Sequence, residues 1–333
     1  MRPNLSSHIA SSVTLAMALA PLLWLRSAAA EELARTPEAT RAVHLLAAAD
    51  LFSQKAGLLE LEALREPGTL DAVQPFLDHR NPELRAQALT VARAIQQRAA
   101  LPLLLDRLAL DRDERVRRQA ANELRRLADP STVPALTAAL RDRSLTVRIA
   151  AVEALGAIKD RSVTTEILRQ MRSRHAELRR SAVEALGALR DPAAQPLVAQ
   201  RTRDRDVNVR RAAVKALGRY KDRGAMPVFI RTLRDRDDTV RQLAMKALAP
   251  LLDHDALPQL RRLARAGRPM LRLYGIALLE RLGTPEALAA LQERRASEWN
   301  DTLRRALDGA IRAVAQHQTA APPVLQPAEA PSP

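Results

Sequence analysis

DRSLTVRIAAVEALGAIKD at residues 142–160, SRHAELRRSAVEALGALRD at 173–191 and DRDVNVRRAAVKALGRYKD at 204–222 are one pattern written three times, at a step of 31 residues. Outward from these three, Val116-Arg117, Val147-Arg148, Leu178-Arg179, Val209-Arg210, Val240-Arg241 and Leu271-Arg272 keep the step. Leu84-Arg85 and Leu303-Arg304 extend it at each end with one-residue insertions. Leu124, Leu155, Leu186, Leu217, Leu248 and Leu279 form a second column, with Gly156, Gly187 and Gly218 following the Leu in three units. Ala120, Ala151, Ala182, Ala213, Ala244 and Gly275 form a third, of minimal side chains, and Asp129, Asp160, Asp191, Asp222 and Asp253 open successive units. Several independent columns sharing one period define a repeat architecture.

Each unit reads as two helices. In residues 129–159, Asp129-Pro130 is a helix start, with a carboxylate able to cap and a Pro whose missing N–H is harmless in the first turn. Val133, Leu136 and Leu140 then share one helical face. Asp142-Arg143-Ser144 is a polar turn, and Val147, Ala151, Leu155 and Ile158 line one face of a second helix, with Ala154 beside them. Short helices with one apolar face each cannot bury it alone, so neighbouring units must stack. The expected fold is all-α, an α-α superhelix of about eight two-helix repeats over residues 68–314. Residues 31–67 are expected to form an N-terminal helical cap starting at Thr36-Pro37-Glu38, whether or not as a further repeat. Residues 315–333 are Pro- and Ala-rich without apolar periodicity and are expected to be a disordered tail.

Composition agrees. Hydrophobic residues make up 47% but aromatics only 2%, so the core is built from Ala, Leu and Val, suited to closely packed helices. The absence of cysteine excludes disulfides, thiolate metal sites and a Cys nucleophile. The formal charge of +15 comes nearly all from Arg, since Lys occurs only at Lys55, Lys159, Lys215, Lys221 and Lys246. Such a surplus can attract polyanions or anionic membrane surfaces.

The first thirty residues read as an address. Arg2 precedes a mainly apolar run at residues 13–25, VTLAMALAPLLWL, and Ala28 and Ala30 give an A-x-A cleavage pattern. A basic start, an apolar run too short to span a bilayer comfortably and a small-residue site describe a secretory signal peptide. Cleavage after Ala30 would remove Arg2 and Arg26, lowering the formal charge from +15 to +13. The expected location is periplasmic or secreted, with an uncleaved N-terminal membrane anchor as the alternative. After cleavage no integral membrane segment is expected.

The order Asp142, Val147-Arg148, Ala150-Ala151, Ala154-Leu155-Gly156 resembles the HEAT-repeat family, and within it the bacterial repeats of the phycobilin-lyase type. The resemblance implies that Asp111, Asp142, Asp204 and Asp235 bridge neighbouring units to Arg117, Arg148, Arg179, Arg210 and Arg241 as a structural ladder. It also implies that the second helix of each repeat lines the concave surface. Outward positions there are Arg118, Ile149, Arg180, Arg211 and Gln242 in one column. Asn122, Glu153, Glu184, Lys215 and Lys246 form the other. These columns vary while the packing columns do not, which makes them candidate partner-binding positions. A solvated face with i,i+4 pairing, such as Arg180 with Glu184, is the structural alternative. A further series, Arg112, Arg143, Arg174, Arg205 and Arg236, falls in the turns between paired helices, where neighbouring Asp cancels much of its charge.

No catalytic constellation emerges. His8, His44, His79, His175, His254 and His317 include no pair at helical ligand spacing and no H-E-x-x-H. The His-Glu dipeptides with which deoxyhypusine hydroxylase, a HEAT-like enzyme, holds two irons are missing, and His254-Asp255 reads as a capping turn. There is no G-x-S-x-G elbow and no Gly-rich phosphate loop. No metal and no cofactor is expected. Nucleic acid is disfavoured, because single-strand binding needs aromatic platforms. Phe52, Phe76, Tyr220, Phe229, Tyr274 and Trp299 mostly fall on packing columns. The expected function is an exported scaffold that binds a protein or peptide through the concave helix face and catalyses nothing. The alternatives are electrostatic docking to an anionic envelope surface, lipid head groups or a polyanion, and an enzyme of the HEAT-like class, a lyase or hydroxylase.

Overall fold

The computed structural model describes residues 36–319, which are predominantly helical, with no strand among the described residues. The signal segment, residues 1–30, and the tail from residue 320 lie outside the described residues. Repeat 1 pairs α1 (Pro37–Leu46) with α2 (Leu51–Leu64), repeat 2 α3 (Leu70–Leu77) with α4 (Pro82–Gln96), and repeat 3 α5 (Leu101–Leu110) with α6 (Glu114–Leu127). Repeat 4 pairs α7 (Val133–Ala139) with α8 (Leu145–Ile158), and repeat 5 α9 (Thr164–Gln170) with α10 (Ala176–Leu189). Repeat 6 pairs α11 (Gln195–Gln200) with α12 (Val207–Tyr220), and repeat 7 α13 (Met226–Thr232) with α14 (Asp238–Leu248). Repeat 8 pairs α15 (Leu257–Ala264) with α16 (Pro269–Leu282), and repeat 9 α17 (Pro285–Ser297) with α18 (Asp301–Thr319). Repeats 1–5 form one compact unit, ending at Asp191, and repeats 6–9 a second, beginning at Pro192.

Residues 37–64 form a helix pair that carries the column positions of the later repeats. Gln54 stands where later repeats have the ladder arginine, and its side-chain amide donates to the Ala48 carbonyl, six residues back, at 3.0 Å. Gly57 and Leu61 fall on the small and Leu columns, and a Cβ on Gly57 would lie 2.7 Å from the Ala42 carbonyl oxygen. At the other end, residues 315–319, expected to begin the tail, belong to α18. The amide of Gln318 donates to the Gly283 carbonyl at 3.1 Å, which ties this last turn to the end of α16.

The columns do what their composition requires. The Leu column is buried throughout, as are the alanines of the small column. Gly275 replaces Ala in that column because a Cβ there would sit 2.4 Å from the Ala264 backbone nitrogen of α15. Gly156 allows the second helices of repeats 4 and 5 to meet, since its Cβ would lie 2.8 Å from that of Ala185. Asp129, Asp160 and Asp222 accept from the backbone N–H of Ser131, Ser162 and Gly224. Each opens a 3₁₀ turn (Pro130–Thr132, Arg161–Val163, Arg223–Ala225) ahead of the first α-helix, so the α-helix begins later than Asp-Pro alone predicts. The second helices end on left-handed residues: Ala128, Lys159, Arg190 and Lys221 have φ of 49°, 62°, 51° and 53°, and Gly283 67°.

Candidate binding cleft

The ladder arginines do two things at once. Where a rung is complete, the arginine turns one terminal nitrogen back onto its own repeat and aims its other face at the next. Arg117 donates to the carbonyls of Asp111 and Arg112 at 2.9 and 3.2 Å, and forms a two-pronged pair with Asp142 of the next repeat at 2.7 and 2.9 Å. Arg210 holds the Asp204 and Arg205 carbonyls and pairs with Asp235 at 2.8 and 2.9 Å. The planar guanidinium can do this because its donors form a fixed fork. Arg85, which the sequence reading left outside the ladder, does the same with His79, Arg80 and Asp111. Arg272 holds Ala266 and Gly267 and lies 3.1 Å from the buried Glu298. Burial alone would raise the carboxyls of Asp111 and Asp142. Hydrogen bonds from Arg85 and Arg117, then from backbone N–H groups, outweigh it and hold both below the usual Asp range.

Two rungs lack a carboxylate on the next repeat. Arg148 keeps its bonds to the carbonyls of Asp142 and Arg143, but the place its partner would occupy is Ser173. For Arg241 that place falls on Ala266 in the sequence, and Arg241 pairs instead with Asp238 of its own helix. Arg179 donates to the carbonyls of Ser173 and Arg174 at 3.0 and 3.1 Å. The turn arginines are exposed, and Arg143 donates back to the Arg112 carbonyl at 3.0 Å.

The outward columns divide. In the N-terminal unit, Arg118 and Arg180 are exposed, and Asn122 and Ile149 half-buried. Glu153 lies 3.4 Å from Arg125 and accepts from Ser181, so it is partly used within the array. Glu184 is exposed and has a partner of its own. In the C-terminal unit Lys215, Gln242 and Lys246 are exposed. Arg211 instead forms a two-pronged pair with Asp237 at 3.0 and 2.7 Å, so its charge is spent between repeats 6 and 7. Asp237 also caps α14 through the Val240 N–H, and the Arg211 hydrogen bond above all holds its carboxyl at about 2.

Gln242 and Lys246 open onto a concavity of the C-terminal unit, a cleft of about 910 Å³. Its walls are α14, α16 and α18. From α14 come Gln242, Met245, Lys246 and, one turn on, Ala249; from α16 Leu273, Tyr274, Ala277 and Leu278; from α18 Ala313, Val314 and His317. Leu273 and Ala277 stand 31 residues after Gln242 and Lys246, so the same two columns turn apolar here. Gly275, on the opposite face of α16, lets that helix sit tight on α15. Lys246 and Arg281 stand at the rim with Glu280. No carboxylate among the described residues pairs with either cation, and Arg281 donates only to the Ala249 carbonyl at 3.5 Å. The arrangement can take apolar side chains on its floor and a negative group at its rim. The sequence reading named Gln242 and Lys246 but not Leu273, Ala277 or the α18 residues. One more step of 31 would have found the first two.

No group of histidines and acids able to hold a metal ion occurs among the described residues, and no helix there is long and apolar enough to cross a membrane.

Stacked helix pairs with an inter-repeat arginine ladder define an α-solenoid scaffold. The chain belongs to the HEAT-repeat family, whose HEAT-repeat profile matches residues 53–125, 105–172, 164–249 and 226–312. Among solved structures it is similar to an engineered protein, at 16% identity over 84% of this chain and 89% of that one, with a TM-score of 0.50. It is also similar to the YibA protein of Escherichia coli, at 19% identity over 80% and 97%, with a TM-score of 0.49. A third likeness is to the CpcE and CpcF complex of phycocyanin lyase from Nostoc sp., at 21% identity over 75% and 96%, with a TM-score of 0.44. These likenesses concern the fold. No curated protein sequence matches the chain.

Proposed function

We propose that this HEAT-repeat protein is an exported scaffold that binds a protein or peptide partner through its second-helix face, with the cleft of the C-terminal unit as the anchor, and performs no reaction of its own. The observation that carries the reading is the cleft itself. The two columns that vary from repeat to repeat run into a concavity of about 910 Å³ with an apolar floor and two unpaired cations at its rim. Concavities of this kind hold the large side chains that anchor an interface. Solenoids offer extended surfaces for such partners. Export rests on the basic start, the apolar run at residues 13–25 and the Ala28-x-Ala30 site.

Affinity capture from envelope extract tests the reading, with the processed chain and an Ala277→Arg variant as parallel baits. Ala277 is exposed on the cleft, so the substitution fills the site without entering the core. A protein retained by the first bait and lost by the second, with equal far-UV circular dichroism, is the expected result. Equal retention by both would remove the cleft from the binding surface.

A further inference from the structure

Between the first helices of repeats 6 and 7, on elements that contribute nothing to the cleft just described, lies a second hollow of about 420 Å³. Its walls are the 3₁₀ turn Arg201–Arg203 that continues α11, the turn after it, the end of α13 and the turn that follows. Six arginines line it, Arg203, Arg205, Arg210, Arg231, Arg234 and Arg236, against the two aspartates Asp204 and Asp235. Asp235 gives both oxygens to Arg210, and Asp204 accepts from the Asp206 N–H and has a further partner. Arg203, Arg231 and Arg234 have no carboxylate partner among the described residues. Burial, and then the charge of Arg203 beside it, push the Arg231 guanidinium below its ordinary value, as expected where like charges meet without a counter-charge.

The array contains its own control. The equivalent groove between the first helices of repeats 4 and 5 is lined by Arg141, Glu166 and Arg169. There Glu166 lies 3.6 Å from Arg169. One and two steps of 31 later, the place of Glu166 is taken by Leu197 and Val228, while the column of Arg141 continues as Arg172, Arg203 and Arg234. At Val228 the acid is lost and the arginines are kept, so the hollow of repeats 6 and 7 lacks the carboxylate that the groove of repeats 4 and 5 holds.

We propose that this hollow is a binding site for a phosphate-type oxyanion, held by Arg203, Arg231 and Arg234. Arginine is suited to the task because its planar fork takes two phosphate oxygens at once. The site is independent of the partner-binding cleft. The ligand is a phosphoryl group, presented either by a lipid head group or by a free polyphosphate.

Calorimetric titration of the full chain with sodium tripolyphosphate, at fixed ionic strength, tests this. Two double variants accompany it: Arg203→Gln with Arg231→Gln in the hollow, and Arg141→Gln with Arg172→Gln in the same column of the N-terminal unit. Both lose the same charge. The expected result is saturation at one tripolyphosphate per chain, weakened about tenfold or more by the first double variant and unchanged by the second, as for loss of two charge-assisted contacts. Absence of saturable binding, or equal weakening by both variants, would overturn the proposal. Co-sedimentation with phosphatidylglycerol and phosphatidylcholine vesicles identifies the source. Retention on the anionic vesicles, competed by tripolyphosphate and lost in the first variant, assigns a lipid head group. Saturable tripolyphosphate binding without vesicle retention assigns a free polyphosphate.

Discussion

Arg117 shows what a single residue contributes here. The residue is 5% exposed, and its charge is balanced by Asp142 one repeat on. Removing one partner of a buried pair leaves the other uncompensated, so Asp142→Ala should destabilise the N-terminal unit by about 3–5 kcal/mol in urea denaturation. The interrupted rung at Arg148 makes the converse prediction. Ser173→Asp should supply the missing carboxylate while keeping the cap that Ser173 gives to the His175 N–H, and raise stability by about 1 kcal/mol. Asp237 sets a pH window. Its carboxyl falls from the ordinary 3.8 to about 2 in the folded chain, so its contribution is present above 3.8 and is lost as pH falls through about 2. A carboxyl resonance of Asp237 titrating near 2, and moving toward 3.8 in Arg211→Gln, is the expected result.

At the scale of the helix, the 31-residue step and the one-sided apolar pattern made nearly every pair legible, because each column answers to a packing constraint that repeats. Repeat 1 was legible only as helix. Its ladder position holds Gln54 in place of Arg, and its small column holds Gly57, so the matching residues are absent although the contacts are kept. The structure uses Gly156 for close approach of two second helices and puts the left-handed cap three residues later, on Lys159. A non-glycine residue at positive φ carries a backbone cost, so Lys159→Gly should stabilise repeat 4 by about 0.5–1 kcal/mol despite the unfolded-state entropy of glycine. Gly275→Ala should do the opposite, destabilising the C-terminal unit by about 1–3 kcal/mol, since its methyl group would meet the backbone of α15.

For the whole molecule, function was less legible than fold because a binding face is defined by what the repeat does not constrain. The varying columns directed attention to Gln242 and Lys246, which line the cleft, and equally to Arg211, which is bound to Asp237. Sequence spacing records which residues share a face but not which charges on that face are already paired. The third wall of the cleft comes from α18, and neither of the varying columns was carried that far. Two compact units also make separate unfolding steps the expected behaviour, since a repeat array is stabilised through its nearest-neighbour interfaces. The most direct measurement is photo-crosslinking in the envelope, with p-benzoylphenylalanine replacing Lys246 at the cleft rim or Arg172 on the first-helix side. A discrete protein adduct from position 246, absent from position 172 and lost when Leu273→Arg is added, is the predicted result. Adducts from position 172 alone, or from position 246 regardless of Leu273→Arg, would contradict a partner anchored in the cleft.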